Sequence, residues 1–227
     1  VCGRFTLTAD PQALRQAFPF LHLPESQAQQ IPPRYNIAPT QPVAVIANNR
    51  ADYLDFFVWG LIPSWAKDPS IGSRMINARA ETLAEKPSFR TALKRRRCLI
   101  PADGFYEWRT EGKIKAPMYI RLASGQPFAL AGLWDNWHAP DGSEIRSCTI
   151  ITGRPNALVA PIHDRMPIIL PPDAYDLWLA AAEQDPRDLL PLLQPFDPAQ
   201  MEAYPVDRRV NSPAQDSPAC IQPLAAE

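Results

Sequence analysis

The sequence is poor in the residues that build metal sites. It has three histidines, His22, His138 and His163, and four cysteines, Cys2, Cys98, Cys148 and Cys220. None of the cysteines forms a C-x-x-C pair, so a structural zinc site is not expected. No apolar run approaches the length of a membrane span. Polar Arg4, Thr6 and Thr8 come too early for a secretory leader. Free thiols without an export signal predict a reducing cytoplasm. An excess of charge is missing as well. The net charge is -1, so no global field draws the chain to nucleic acid, and any such binding must come from a local basic patch. Glycine is scarce at 9 residues against 27 prolines, which predicts many short elements joined by stiff loops.

What is present suits one soluble globular domain. The 227 residues are enough to bury a real core. Residues 3–7 read as a strand, and Asp10 caps a short helix with Pro11 in its first turn. Strand patterns recur at 43–47, 53–59, 98–101, 105–109, 118–122, 128–134, 148–152 and 168–170. Helical composition marks 77–86, 89–93, a short stretch from Pro155, 172–182 and 185–193. Beyond Pro195 the chain reads as irregular, with a tail at 212–227. Strands and helices do not alternate in βαβ fashion. The expected fold is α+β, a single domain with a mostly antiparallel, barrel-like β core flanked by short helices.

Six segments concentrate polar and aromatic residues at loops and element ends. They are Cys2-Gly3-Arg4-Phe5, Tyr35-Asn36-Ile37-Ala38-Pro39-Thr40-Gln41, Trp59-Gly60-Leu61-Ile62-Pro63-Ser64-Trp65, Asn77-Ala78-Arg79-Ala80-Glu81-Thr82, Pro101-Ala102-Asp103-Gly104-Phe105-Tyr106-Glu107-Trp108 and His163-Asp164-Arg165-Met166-Pro167. Any one is a weak signal. All six in this order closely resemble the SOS response-associated peptidase (SRAP) family of abasic-site sensors, over residues 2–211.

The resemblance implies capture of abasic sites in single-stranded DNA, and the chemistry of an amino-terminal cysteine agrees with it. An opened abasic sugar carries an aldehyde. A terminal α-amine forms an imine with it, and the thiol of the same residue closes a five-membered thiazolidine. Only a chain-terminal cysteine offers both groups. Its amine has a reference pKa of about 7.7–8.0, so a useful fraction is neutral at physiological pH, unlike lysine near 10.4. A lone cysteine is otherwise a small buried core residue. Val1 stands ahead of Cys2, and a retained Val1 leaves Cys2 only a peptide nitrogen. The expectation is therefore either a GTG start that is initiated with methionine and trimmed, or self-removal of residue 1.

The resemblance further assigns catalysis to Cys2, Asn77, Glu107 and His163. Glu107 moves protons at the sugar, His163 shuttles them near its ordinary pKa of about 6.5, and Asn77 orients the amine or the opened sugar. Arg4, Arg79 and Arg165 are expected phosphate contacts. Trp65 and Pro39 stack on or wedge the bases beside the lesion, and Thr149 lines the pocket. His22, His138, Trp134 and Trp178 read as structural, and Lys94-Arg95-Arg96-Arg97 as a solvated face. No cofactor, no metal, no membrane partner and a monomeric state are expected. Cleavage of the strand by β-elimination is a kindred activity. Two other functions remain open: a cysteine peptidase acting on other proteins through Cys2 and His163, and a non-catalytic reader of modified bases in duplex DNA.

Overall fold

A computed structural model describes residues 2–224, so Val1 lies outside the described residues. Five strands close on one another. They are β3 (Pro42–Ala47), β4 (Leu54–Trp59), β6 (Arg97–Ala102), β9 (Phe128–His138) and β10 (Glu144–Gly153). β10 pairs with β4, β4 with β3, β3 with β6, β6 with β9, and β9 returns to β10. This ring leaves no free edge. All its pairings are antiparallel except β4 with β10. The barrel-like core expected from the sequence is thus a closed five-stranded barrel. Its wall is tight at Gly132, where an added Cβ would lie 2.8 Å from Cys98 Sγ and 3.0 Å from Thr149 O.

A second sheet packs beside the barrel. It contains β1 (Phe5–Leu7), β2 (Arg34–Ile37), β7 (Gly104–Glu111), β8 (Ile114–Leu122) and β13 (Met201–Pro205), in the order β13-β8-β7-β1-β2. Phe5 pairs with Phe105 and Thr6 with Gly104, and the N–H of Tyr106 donates to Arg4 O at 3.0 Å. This register brings the start of the chain to the middle of β7. Asp103 fixes the bend between β6 and β7. Its carboxylate accepts from Thr6 Oγ1 and from the backbone N–H groups of Thr8 and Ala9.

The helices are short, as the proline content predicts. α1 (Pro11–Ala17) starts at Asp10, whose side chain accepts from the N–H of Ala13, a cap worth about 1 kcal/mol. α2 (Glu25–Ala28), α3 (Arg90–Arg95), α4 (Tyr175–Trp178) and α5 (Pro186–Leu189) are one or two turns each.

Four expectations about local structure are corrected. Residues 77–86 are not a helix: β5 (Asn77–Arg79) pairs in parallel with β10, and a 3-10 turn follows over Ala80–Thr82. The stretch from Pro155 forms turns, with Asn156 Oδ1 accepting from the N–H groups of Leu158 and Val159. The 172–182 helix stops at Trp178, because the carbonyls of Trp178, Ala180 and Ala182 accept from the Arg97 guanidinium instead. The chain beyond Pro195 contributes β13, which pairs with β8 over its whole length. Arg97 itself is fully buried and Arg96 pairs with Asp135, so the basic run is not simply a solvated face.

Candidate active site and strand-binding surface

The site begins where β1 and β7 meet. Cys2 is fully buried. Burial pushes its thiol well above the ordinary range, and the nearby Glu107 carboxylate adds to the effect. Glu107 projects from β7 with 1% of its surface exposed. Burial is the largest cause of its shift, and it pushes the carboxyl up to about 7. Buried carboxylic acids hold their proton because the charged form loses hydration.

His163 arrives on the segment between β10 and β11 (Met166–Pro167), with Nε2 3.9 Å from Glu107 Oε2. The backbone N–H of Arg165 donates to His163 Nδ1 at 3.1 Å. A backbone amide can only donate, so Nδ1 is the acceptor and the neutral ring carries its proton on Nε2, toward Glu107. Asp164 Oδ1 stands 3.0 Å from the same Nδ1, ready for the proton that nitrogen gains when the ring becomes cationic. Burial still dominates, and the His163 pKa is lowered. The imidazole is therefore neutral at pH 7, and Glu107 is the group that titrates near neutrality.

Glu107 and His163 open into a cleft of about 470 Å³, also lined by Trp108, Lys115 and Asn211. Trp108 Nε1 donates to Asn211 Oδ1 at 2.7 Å. These three residues had no role in the sequence reading. Trp108 stood inside a recognised motif, but nothing in the pattern of Lys115 or Asn211 distinguishes them from solvated loop residues.

Residues 1–213 match the family described as SOS response associated peptidase (SRAP). The chain belongs to this family. It is 49% identical to the abasic site processing protein YoqW of Bacillus subtilis (strain 168), over 98% of this chain and 99% of that one. It is 30% identical to the abasic site processing protein HMCES of Xenopus tropicalis, over 97% of this chain and 78% of that one. A crystal structure of a protein from Bacteroides thetaiotaomicron superposes with a TM-score of 0.86 at 30% identity, covering 99% of this chain and all of that one.

In this SRAP chain the remaining predicted residues fall into separate places. Asn77 lies on β5 opposite Ile150, to whose carbonyl its Nδ2 donates at 3.5 Å. Its Oδ1 is buried without a hydrogen-bond partner among the described residues. Arg79, two positions on, pairs with Thr152 of β10. Arg165 reaches the same Thr152, donating to its carbonyl at 2.6 Å and to Oγ1 at 3.3 Å. Thr152 therefore joins the two arginines, and the sequence reading passed over it. Thr149 lies three residues earlier on β10, an odd separation that puts it on the opposite face. Its Oγ1 is buried and has no hydrogen-bond partner among the described residues.

Arg165 is held in a fork by Glu81, at 2.7 and 3.0 Å. Arg4 is held by neutral groups: its guanidinium donates to Asn36 Oδ1 at 3.1 Å, Val210 O at 2.6 Å and Asn211 O at 3.2 Å. That fastens the 206–224 segment to β1 and β2. Pro39 sits in the turn before β3, next to Thr40 with its φ of 70°. Trp65 is 60% exposed, while Trp134 and Trp178 are buried. His138 forms a surface pair with Glu144.

Among the described residues no group of acids, histidines and cysteines forms a metal site, and no helix is long and apolar enough to cross a membrane.

Proposed function

We propose that this protein captures abasic sites in single-stranded DNA and joins Cys2 to the opened sugar as a thiazolidine. The observation that carries this reading is the Glu107 carboxyl, buried beside Cys2 and held near pH 7, with a neutral His163 Nε2–H facing it. Two relatives that match nearly the whole chain are named abasic site processing proteins, which supports the substrate class.

The chemistry follows from these protonation states. Protonated Glu107 donates to the departing ring oxygen and regains a proton from the anomeric hydroxyl as that carbon becomes the aldehyde. The free α-amine of Cys2 adds to the aldehyde carbon, and the resulting hydroxyl leaves as water on taking a proton from Glu107. The Cys2 thiol then adds to the imine carbon. Its proton passes to the Glu107 carboxylate, restoring the acid, while the electron pair of the protonated imine goes to its nitrogen, so one water is lost overall. A thiol whose pKa is raised by burial does not attack unaided, which is why an adjacent base is required. His163 presents its Nε2–H toward the same carboxyl, 3.9 Å away. If the imine persists instead, removal of a proton from the adjacent carbon cleaves the strand. Self-removal of residue 1 belongs to the same reading, since the step needs Cys2 at the terminus. Arg79, Arg165, Trp65 and Pro39 hold the unpaired strand, and Asn77 orients the sugar.

Denaturing electrophoresis with abasic single-stranded and duplex oligonucleotides tests the reading. A denaturant-resistant shifted band is expected for the single strand only. Its absence with protein verified by mass to begin at Cys2 would overturn the proposal.

A further inference from the structure

A second concavity of about 360 Å³ shares no lining residue with the Glu107 cleft. It is formed by the 3-10 turn Pro69–Arg74, by β5 and by the segment leading to α3. Gly60 allows this turn to sit against the barrel. Its φ is +136°, and a Cβ there would stand 2.5 Å from Gly72 O. Arg74, Arg79 and Lys86 line the groove and no acidic residue does. All three are exposed, and among the described residues none of them is in an ion pair. Arg34, Arg96, Arg121 and Arg165, by contrast, each rest against a carboxylate. Asp68 is exposed and feels Arg74 only as the last of several causes.

Ile71, Met75 and Phe89 make one side of this groove apolar, and a low-dielectric wall strengthens the field of the cations beside it. Thr82 Oγ1, also in the lining, is buried with no hydrogen-bond partner among the described residues. Three uncompensated cations and an unmet hydroxyl donor match one ligand chemistry, a tetrahedral oxyanion. Asn77 belongs to this groove, and Arg79 is the ladder partner of Thr152, whose carbonyl accepts from Arg165 on the His163 segment.

We propose that this groove is a second anion subsite, in which Arg74 and Lys86 together with Arg79 and Thr82 bind backbone phosphate on one side of the lesion. The proposal rests on the single-strand reading above and adds a direction to it. The strand leaves the Glu107 cleft past Asn77 and runs over the 69–74 turn. The groove therefore serves nucleotides on only one side of the abasic residue, either 5′ or 3′.

The test uses the full chain and the pair Arg74→Gln/Lys86→Gln. Both side chains are exposed, so the melting temperature should stay at the parent value; Arg74→Gln alone is the second variant. Binding of an undamaged fluorescent oligothymidylate is measured against salt. Each lost phosphate contact on a single strand lowers the slope of log K against log salt by about 0.7, so the pair should lower it by about 1.4. Arg74→Gln alone should lower it by about half as much. Cross-linking is then compared on substrates extended only 5′ or only 3′ of the abasic residue. The pair should slow one of these and leave the other at the parent rate. An unchanged slope, or equal slowing of both substrates, overturns the subsite. Inorganic phosphate binding the parent as tightly as the oligonucleotide does would also overturn it, because the groove would then serve a free anion. If the parent forms no cross-link at all, the covalent reading fails, while the salt slope still decides the subsite.

Discussion

The Glu107 cleft and the Arg74–Lys86 groove treat charge in opposite ways. In the cleft, burial pushes the Cys2 thiol and the Glu107 carboxyl upward and the His163 imidazole downward, so each favours its neutral form. In the groove, three cations stand exposed with no acid in the lining. Neutral groups poised near the working pH move protons at little cost. Uncompensated cations hold phosphate but do no proton chemistry. On the proposed function the difference separates bond making from strand holding, and mutations should separate the two as well.

The largest expected effect is at Cys2. Cys2→Ala should abolish the denaturant-resistant band while binding to undamaged single strand stays at the parent level. It keeps a free amine, so weak strand cleavage through the imine should remain. Cys2→Ser closes only the less stable oxygen ring and should behave like the alanine variant. Mass spectrometry of a digested adduct finding the sugar on a lysine would break the comparison at its root, because the cleft would then not be where the bond forms.

Glu107→Gln comes next. It keeps the shape and removes the titrating proton, so cross-linking should slow by about 100- to 10,000-fold. The parent rate should change through pH 7, and the variant should lose that inflection. Stability gives an independent reading. The folded carboxyl titrates at about 7 rather than 4.5, so between these values the folded state binds more protons than the unfolded one. Parent stability therefore falls as pH rises through that window, and the melting temperature of Glu107→Gln should not follow it. Parallel pH curves for the two proteins would show that Glu107 is an ordinary carboxylate.

Trp65 should affect binding alone. Trp65→Ala removes one stacking surface, expected to weaken single-strand binding by about 1–3 kcal/mol. The residue is 60% exposed, so the melting temperature should not move. A drop in stability with unchanged affinity would assign Trp65 to packing.

The sequence made the barrel legible where strands carry their own signal. Residues 98–101, 128–134 and 148–152 alternate or run apolar, and they became β6, β9 and β10. Cys2, Glu107 and His163 were marked only through the motifs that resemble the family, and the fold brings Glu107 beside Cys2 and within 3.9 Å of His163. What stayed hidden depends on distant partners. Asn77 to Arg79 has helical composition, but β10 offers it a parallel ladder. The 172–182 stretch has helix formers, but buried Arg97 takes its carbonyls. The choice between Thr149 and Thr152 needs the facing of β10, which no local pattern supplies. The state of Arg4 was hidden for the same reason, since its acceptors Val210 and Asn211 lie more than 200 residues away.

Arg165 supplies the smallest effect, and it tests the boundary between the two regions. It sits on the His163 segment yet is counted with the strand-binding groups, and Glu81 holds both of its terminal nitrogens. The Arg165 hydrogen bond is the largest cause lowering the Glu81 pKa, so Glu81 is fully ionised at pH 7 and competes with phosphate for the same fork. Glu81→Gln removes the competing charge. Undamaged single strand should bind more tightly, and the salt slope should steepen by about 0.7. The parent should approach the variant as pH falls through the depressed Glu81 pKa, below the ordinary carboxylate range, because the folded-state pair is lost there. The stabilisation this pair lends the fold is present above the unfolded pKa of Glu81 and disappears over the same acid range. Weaker binding by Glu81→Gln, with no change in slope, would show instead that Glu81 aims Arg165 at the strand, and Arg165 would then belong with the preorganised cleft rather than with the open groove.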